Sequence, residues 1–198
     1  MKRIWFLLLA GICLLGCLED KTAVRKEPQA QVLQNQALED MLAGIPGIVP
    51  NTIIAYPRWI DKQSLAIDFL AYKIKAKPVF GTAINLDYDP HVLEYSSYKK
   101  GDFLEQGGVP AGNQEPVYLI SPANPGESGK SNLIIGATLF RGTPGVTGSG
   151  RLLTLLFRSK QALSTEIALT KGKLKGLKAD DISEVHWPTT ISVISLAQ

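Results

Sequence analysis

The stretch Gly126-Glu127-Ser128-Gly129-Lys130-Ser131 ends as a phosphate-binding loop ends. In such a loop backbone N–H groups cradle phosphates, the Lys reaches the outer phosphates and the Ser hydroxyl meets Mg²⁺. The full spacing requires Gly where this chain has Asn124, and a helix must follow to hold the phosphates at its N-terminus. Here Asn132-Leu133-Ile134-Ile135-Gly136 follows, which is strand-like, so the stretch reads as a turn. His91 and His186 are distant in sequence, and neither has a His or Cys partner at metal-ligand spacing. Asp87-Tyr88-Asp89 and Asp180-Asp181 offer carboxylates but lack the alternating oxygens and turn Gly of a calcium loop. Acidic residues at strand ends more often cap turns. The chain has no Gly-x-Ser-x-Gly elbow and no His-Glu-x-x-His. Carboxylate pairs that cleave glycosides meet only in three dimensions, and the sequence marks out none. The expectation is a protein that is not an enzyme and uses no metal or cofactor.

One residue does carry reactive chemistry. Lys2 and Arg3 precede an apolar run from Ile4 to Leu15, which ends in Leu14-Leu15-Gly16-Cys17. About a dozen residues are too few to span a bilayer core of roughly 30 Å, but they suit a signal-peptide core. The ending resembles a bacterial lipobox, in which cleavage before the Cys is coupled to acylation of its thiol. Gly16 is small enough for a peptidase subsite, although Leu15 is bulkier than usual. The alternative is a plain secretory signal with a chance Cys. On the lipobox reading, residues 1–16 are the signal, Cys13 leaves with it and Cys17 is acylated. The mature domain then has no free thiol or disulfide. Loss of Lys2 and Arg3 takes the 21 basic residues to 19 against 18 acidic, a net charge of +1. With no dense Lys/Arg run, nucleic acid is not an expected partner. The expected location is the bacterial cell envelope. Leu18, rather than Asp, after the Cys favours the outer membrane over the inner by resemblance to enteric sorting rules.

The elements that position these residues follow from pattern. With 45% apolar and 20% charged residues over 198 positions, the chain can bury one core. Leu18 to Pro28 is polar and reads as a tether. Gln29 to Ala43 predicts a short amphipathic helix, with Ala30, Leu33, Ala37 and Met41 on one stripe and Leu38 and Leu42 beside it. Gly44 and Pro46 stop it. Residues 17–63 are thus read as tether, helix and extended segment, and 64–198 as the folded domain. Within the latter, alternating runs predict strands at 64–76, 81–88, 116–121, 132–141, 151–159, 166–170 and 189–194. No long helical run separates them, so a sandwich or barrel is expected. In 81–88, Ile84, Leu86 and Tyr88 share one face, while Asn85 and Asp87 lie on the other.

Two stretches are specific when taken together. The first is Gly81-Thr82-Ala83-Ile84-Asn85-Leu86-Asp87-Tyr88-Asp89-Pro90-His91-Val92-Leu93-Glu94, followed by Gly101-Asp102-Phe103-Leu104. The second runs from Gly145 through Gly148 and Gly150 to Leu153, Leu155, Phe157 and Arg158. In order and separation they resemble the cohesin domain, over roughly Leu65 to Ile194. The resemblance implies an all-β, nine-stranded jelly-roll sandwich that is not catalytic. Cohesins bind dockerin modules in polysaccharide-degrading assemblies, and related modules occur in envelope proteins. Dockerin-binding cohesins often carry Asn-x-Asp where this chain has Gly81 and Ala83, so a dockerin partner is not implied by these positions.

Two functional readings follow. The first is a lipid-anchored, protein-binding envelope module. If Leu153, Leu155 and Phe157 face inward, alternation turns Leu152, Thr154 and Leu156 outward as a small apolar strip. With Asn85 and Asp87, these are the candidate binding residues. The second reading is a carbohydrate-binding module for polysaccharide. Its aromatic platform could come from Trp59 with Trp187, or from Tyr95 with Tyr98, each of which also suits packing.

Overall fold

A computed structural model describes residues 28–107, 115–123, 129–140 and 142–194. Cys17 and the signal lie outside the described residues. The elements in order are helix α1 (Pro28–Ala43), strands β1 (Thr52–Trp59), β2 (Ser64–Val79), β3 (Gly81–Tyr88) and β4 (Leu93–Lys100), a single 3₁₀ turn (Leu104–Gly107), then β5 (Val117–Ala123), β6 (Ser131–Thr138), β7 (Val146–Ser159), β8 (Thr165–Lys175) and β9 (Thr190–Val193). The strands form two antiparallel sheets, ordered β1-β2-β7-β4 and β5-β6-β3-β8-β9. Their facing sides bury Leu65, Ile67 and Phe69 of β2 and Leu153, Leu155 and Phe157 of β7 against Ile84, Leu86 and Tyr88 of β3. This is the expected all-β sandwich.

The sandwich begins at Thr52, not Ser64. Pro57 breaks the strand pattern in sequence, but β1 is an edge strand, where a missing N–H costs no ladder bond. Its Ile53 is buried, and Ala55 and Trp59 pack on the core. β4 is the other strand absent from the sequence pattern. Its Leu93 is buried and Tyr95 and Tyr98 pack inward, while Glu94, Ser97 and Lys99 pair across the outer side.

Helix α1 docks on the outer side of the four-stranded sheet through Leu38 and Leu42, the pair beside the main stripe; Ala37 and Met41 of that stripe are exposed, and the side chains of Ala30 and Leu33 lie outside the described residues. Met41 is 53% exposed, whereas Leu42 is buried against Leu70 and Tyr72, with Leu38, Ile48 and Ile54 around it. Leu38, Glu39 and Leu42 make one continuous helix face. Glu39 Oε1 accepts the Ser149 hydroxyl at 2.6 Å, and Ser149 Oγ in turn accepts the Lys73 backbone N–H at 2.9 Å. A helix of 16 residues is marginal alone, so these contacts hold it.

Candidate functional site

The motif residues build the frame. Tyr88 ends β3 in the core, and Asp89 then caps the turn, its Oδ1 accepting the His91 N–H at 2.8 Å and its carbonyl the Leu93 N–H at 2.9 Å. Gly101-Asp102-Phe103-Leu104 clasps β7. The Arg151 carbonyl accepts the Phe103 N–H at 2.9 Å, and Asp102 Oδ1 accepts the Arg151 N–H at 2.7 Å. At this point β7 bulges: Leu153 pairs with Phe69 and Arg151 with Leu70, leaving Leu152 unpaired on β2. Asp180 and Asp181 close the far end. Asp181 bridges Lys173 and Lys175, whose hydrogen bonds pull its carboxyl down to about 2, and Ile182 tucks into the core.

The bulge moves the expected apolar strip. Leu152 and Leu153 are both buried in the core, because the extra residue breaks strict alternation. Leu152 is therefore not on the outer face. Thr154 does point outward, but it is buried with its hydroxyl donated to Asp68. Asp68 is itself buried on that face, and Arg58 Nε meets it at 2.7 Å and Arg151 Nε at 3.5 Å. Only Leu156 remains half-exposed there. With α1 over Leu70 and Tyr72, this face is covered at one end and polar at the other.

An apolar strip does exist, on the opposite sheet. Strand register lays out three rows across its outer side: Ser121, Ile134, Asn85, Lys171; Leu119, Gly136, Ala83, Lys173; and Val117, Thr138, Gly81, Lys175. Leu119 is 71% exposed, and Val117 and Ile134 are each 47% exposed. Their neighbours Leu133 and Ile135 are buried, and Tyr118 and Ile120 pack on the core, so the outward direction follows from alternation. Gly136 and Ala83 leave the middle row shallow, and nothing lies within 4 Å of a Cβ placed on Gly136. Asn85 and Asp87 border this strip, and Asp87 Oδ1 accepts the Asn132 side-chain amide at 2.6 Å. The structure thus groups Asn85 and Asp87 with Val117, Leu119 and Ile134, and separates them from Leu152, Thr154 and Leu156. A strand phase for 116–121 and 132–141 would have exposed Val117, Leu119 and Ile134 as outward apolar residues in the sequence.

The aromatic candidates are packed. Trp59 donates its indole N–H to the Ile194 carbonyl at 2.8 Å and leans on the core. Trp187 lies on Gly172, where an added Cβ would come within 2.4 Å of the indole. Tyr95 meets Phe157 edge-on at 5.9 Å, and Tyr98 stacks on Tyr118 at 6.0 Å. Neither pair forms an exposed platform. Burial raises the Tyr118 hydroxyl's pKa, and that hydroxyl donates to the Leu152 carbonyl at 3.0 Å. Gly129 and Lys130 lead into strand β6 rather than a helix, unlike a phosphate loop. Among the described residues no group of three His, Cys, Asp or Glu could hold a metal, and no helix is long and apolar enough to cross a membrane.

No family model and no curated protein matches the chain. Solved structures do. The second type II cohesin module from the adaptor scaffoldin of Acetivibrio cellulolyticus is 16% identical, with a TM-score of 0.52 over 78% of this chain and 95% of that one. A chain of a type II cohesin–X-dockerin complex from the same organism is 15% identical, with a TM-score of 0.51 over 71% of this chain and 96% of that one. The sixth cohesin of its scaffoldin B, in complex with a dockerin, is 16% identical, with a TM-score of 0.50 over 74% and 98%. The fold is that of a cohesin module.

Proposed function

We propose that this cohesin-like chain is a non-catalytic, lipid-anchored module of the bacterial envelope that binds a protein on the outer face of its five-stranded sheet. The supporting observation is the strip of Val117, Leu119 and Ile134, exposed on a sheet face that elsewhere carries Asn, Thr and Lys. An outer sheet face normally meets water and is polar, so clustered apolar side chains there mark a contact surface. The partner is of the dockerin type found in complex with the similar cohesins. Dockerin-binding cohesins often carry Asn-x-Asp where this chain has Gly81 and Ala83, so recognition here shifts to apolar contact. Lys171 at the rim supplies a partner for an acidic side chain.

The test is capture of the partner from envelope extract on the parent chain and on Leu119→Asp with Ile134→Asp. Both positions are exposed, so the variant is expected to melt like the parent and to lose its partner. Undiminished capture by the folded double variant would refute the reading. The anchor is tested apart: Cys17→Ser is expected to leave the chain unprocessed or free in the soluble fraction, because multiple acyl chains hold firmly where one does not. Processed Cys17→Ser protein that still sediments with membranes would overturn the anchor.

A further inference from the structure

We propose that two copies of this chain pair through β5, antiparallel about a two-fold axis at Leu119, joining their five-stranded sheets into one. The sandwich has four edge strands. Bare edges present unpaired N–H and C=O groups, and folded proteins normally block them. β1 is met by the segments on either side of β9: the Ile53 N–H meets the His186 carbonyl at 2.8 Å, and Trp59 reaches the Ile194 carbonyl. β9 has four residues. β4 carries Glu94, Lys99 and Lys100. β5 is different. Among the described residues it pairs with β6 alone, and it contains no ionisable carboxylate, ammonium or guanidinium and exposes Val117 and Leu119.

The sequence of this edge says why its occupant is a second copy. It reads Pro116-Val117-Tyr118-Leu119-Ile120-Ser121-Pro122. A two-fold axis through Leu119 sets Leu119 against Leu119, Tyr118 against Ile120 and Val117 against Ser121. The same axis sets Pro116 against Pro122, so the residues that lack a donor fall together at both ends of a five-residue ladder. No other register about this edge sets Pro116 against Pro122. No like charges meet, since the segment has none, and an isologous contact of this kind closes at two subunits. Strand addition uses the edge, not the face, so Ile134 and the rest of the proposed docking strip stay open and are doubled in area.

Cysteine cross-linking of the full chain under mild oxidation tests this. Opposed residues of an antiparallel pair have Cβ atoms about 5 Å apart, within disulfide reach. Leu119→Cys is expected to give a covalent dimer severalfold above the parent chain. Val117→Cys alone should not, since its copies lie about 13 Å apart across the axis. Val117→Cys with Ser121→Cys should restore the link. Ile134→Cys is as exposed as Val117 but lies on β6, and it should stay at background. The proposal is overturned if Leu119→Cys gives no dimer, or if Ile134→Cys or Val117→Cys alone links as readily. Ile134→Asp leaves β5 intact, so loss of the docking partner without loss of the Leu119→Cys dimer would show that the two surfaces act separately.

Discussion

Phe157→Ala is expected to lower the unfolding free energy by about 3–5 kcal/mol. The ring is 2% exposed, and its β7 residue pairs with Leu65 of β2 on one side and Tyr95 of β4 on the other. It receives Tyr88 edge-on at 5.3 Å and Tyr95 at 5.9 Å, with interplanar angles of 75° and 73°. Each edge-to-face contact adds about 0.5–1.5 kcal/mol beyond burial. Truncation would therefore remove transfer energy and two ring contacts, and leave a cavity flanked by residues from three strands. Those strands are held by backbone ladders, so the walls cannot collapse to fill it. Urea unfolding gives the answer as a fall in midpoint at unchanged slope. A loss below about 1 kcal/mol would mean that the sheets do not meet at Phe157, at odds with typical core truncations.

Phe157 was legible because Leu153, Leu155 and Phe157 keep one phase along β7. β3 was legible for the same reason, with its bounds at Gly81 and Tyr88 set by the buried face and the Asp89-Pro90 turn. Leu152 was not legible. Its inward direction comes from the bulge, which depends on Gly101 and Phe103, some fifty positions away in sequence and hydrogen-bonded to it in space, not on any local period. β1 was hidden by Pro57, since only the sheet order shows that its strand is an edge. The α1 stripe was displaced because Leu70 and Tyr72, which choose the docked side, belong to another element. The exposed strip escaped for a related reason. Leu133-Ile134-Ile135 is a continuous apolar run, and only its phase, fixed by Leu86 and Ile84 opposite, says that the middle residue is the one outside. Asn85 and Asp87 were placed on the correct face by alternation alone. Their companions on neighbouring strands required the register.

Gly101→Ala is expected to be the most damaging single-methyl change among the described residues. A Cβ at Gly101 would fall 1.9 Å from the Arg151 carbonyl oxygen and 2.5 Å from the Leu152 carbonyl carbon. Both are backbone atoms, and neither can swing away. The Arg151 carbonyl is fixed by the Phe103 N–H at 2.9 Å, the Arg151 N–H by Asp102 at 2.7 Å, and the Leu152 carbonyl by the Gly101 N–H at 3.1 Å. To admit the methyl group the whole 101–104 segment must lift from β7. That breaks three hydrogen bonds at about 0.5–1.5 kcal/mol each. It also draws Phe103 and Leu104, both fully buried, away from the core, at about 1.5–3 kcal/mol for each side chain that emerges. A loss of about 4 kcal/mol or more is expected, against a total stability of about 5–15 kcal/mol for a domain of ordinary size. Two companions separate sterics from composition. Gly136→Ala, where nothing lies within 4 Å of the new methyl group, should change the midpoint little or raise it slightly. Asp102→Ala, which removes one of the three bonds and adds no clash, should cost about 1 kcal/mol. If Gly101→Ala unfolds at the same urea concentration as Gly136→Ala, the segment does not grip the bulge. Leu152 would then be free to face outward as strict alternation requires.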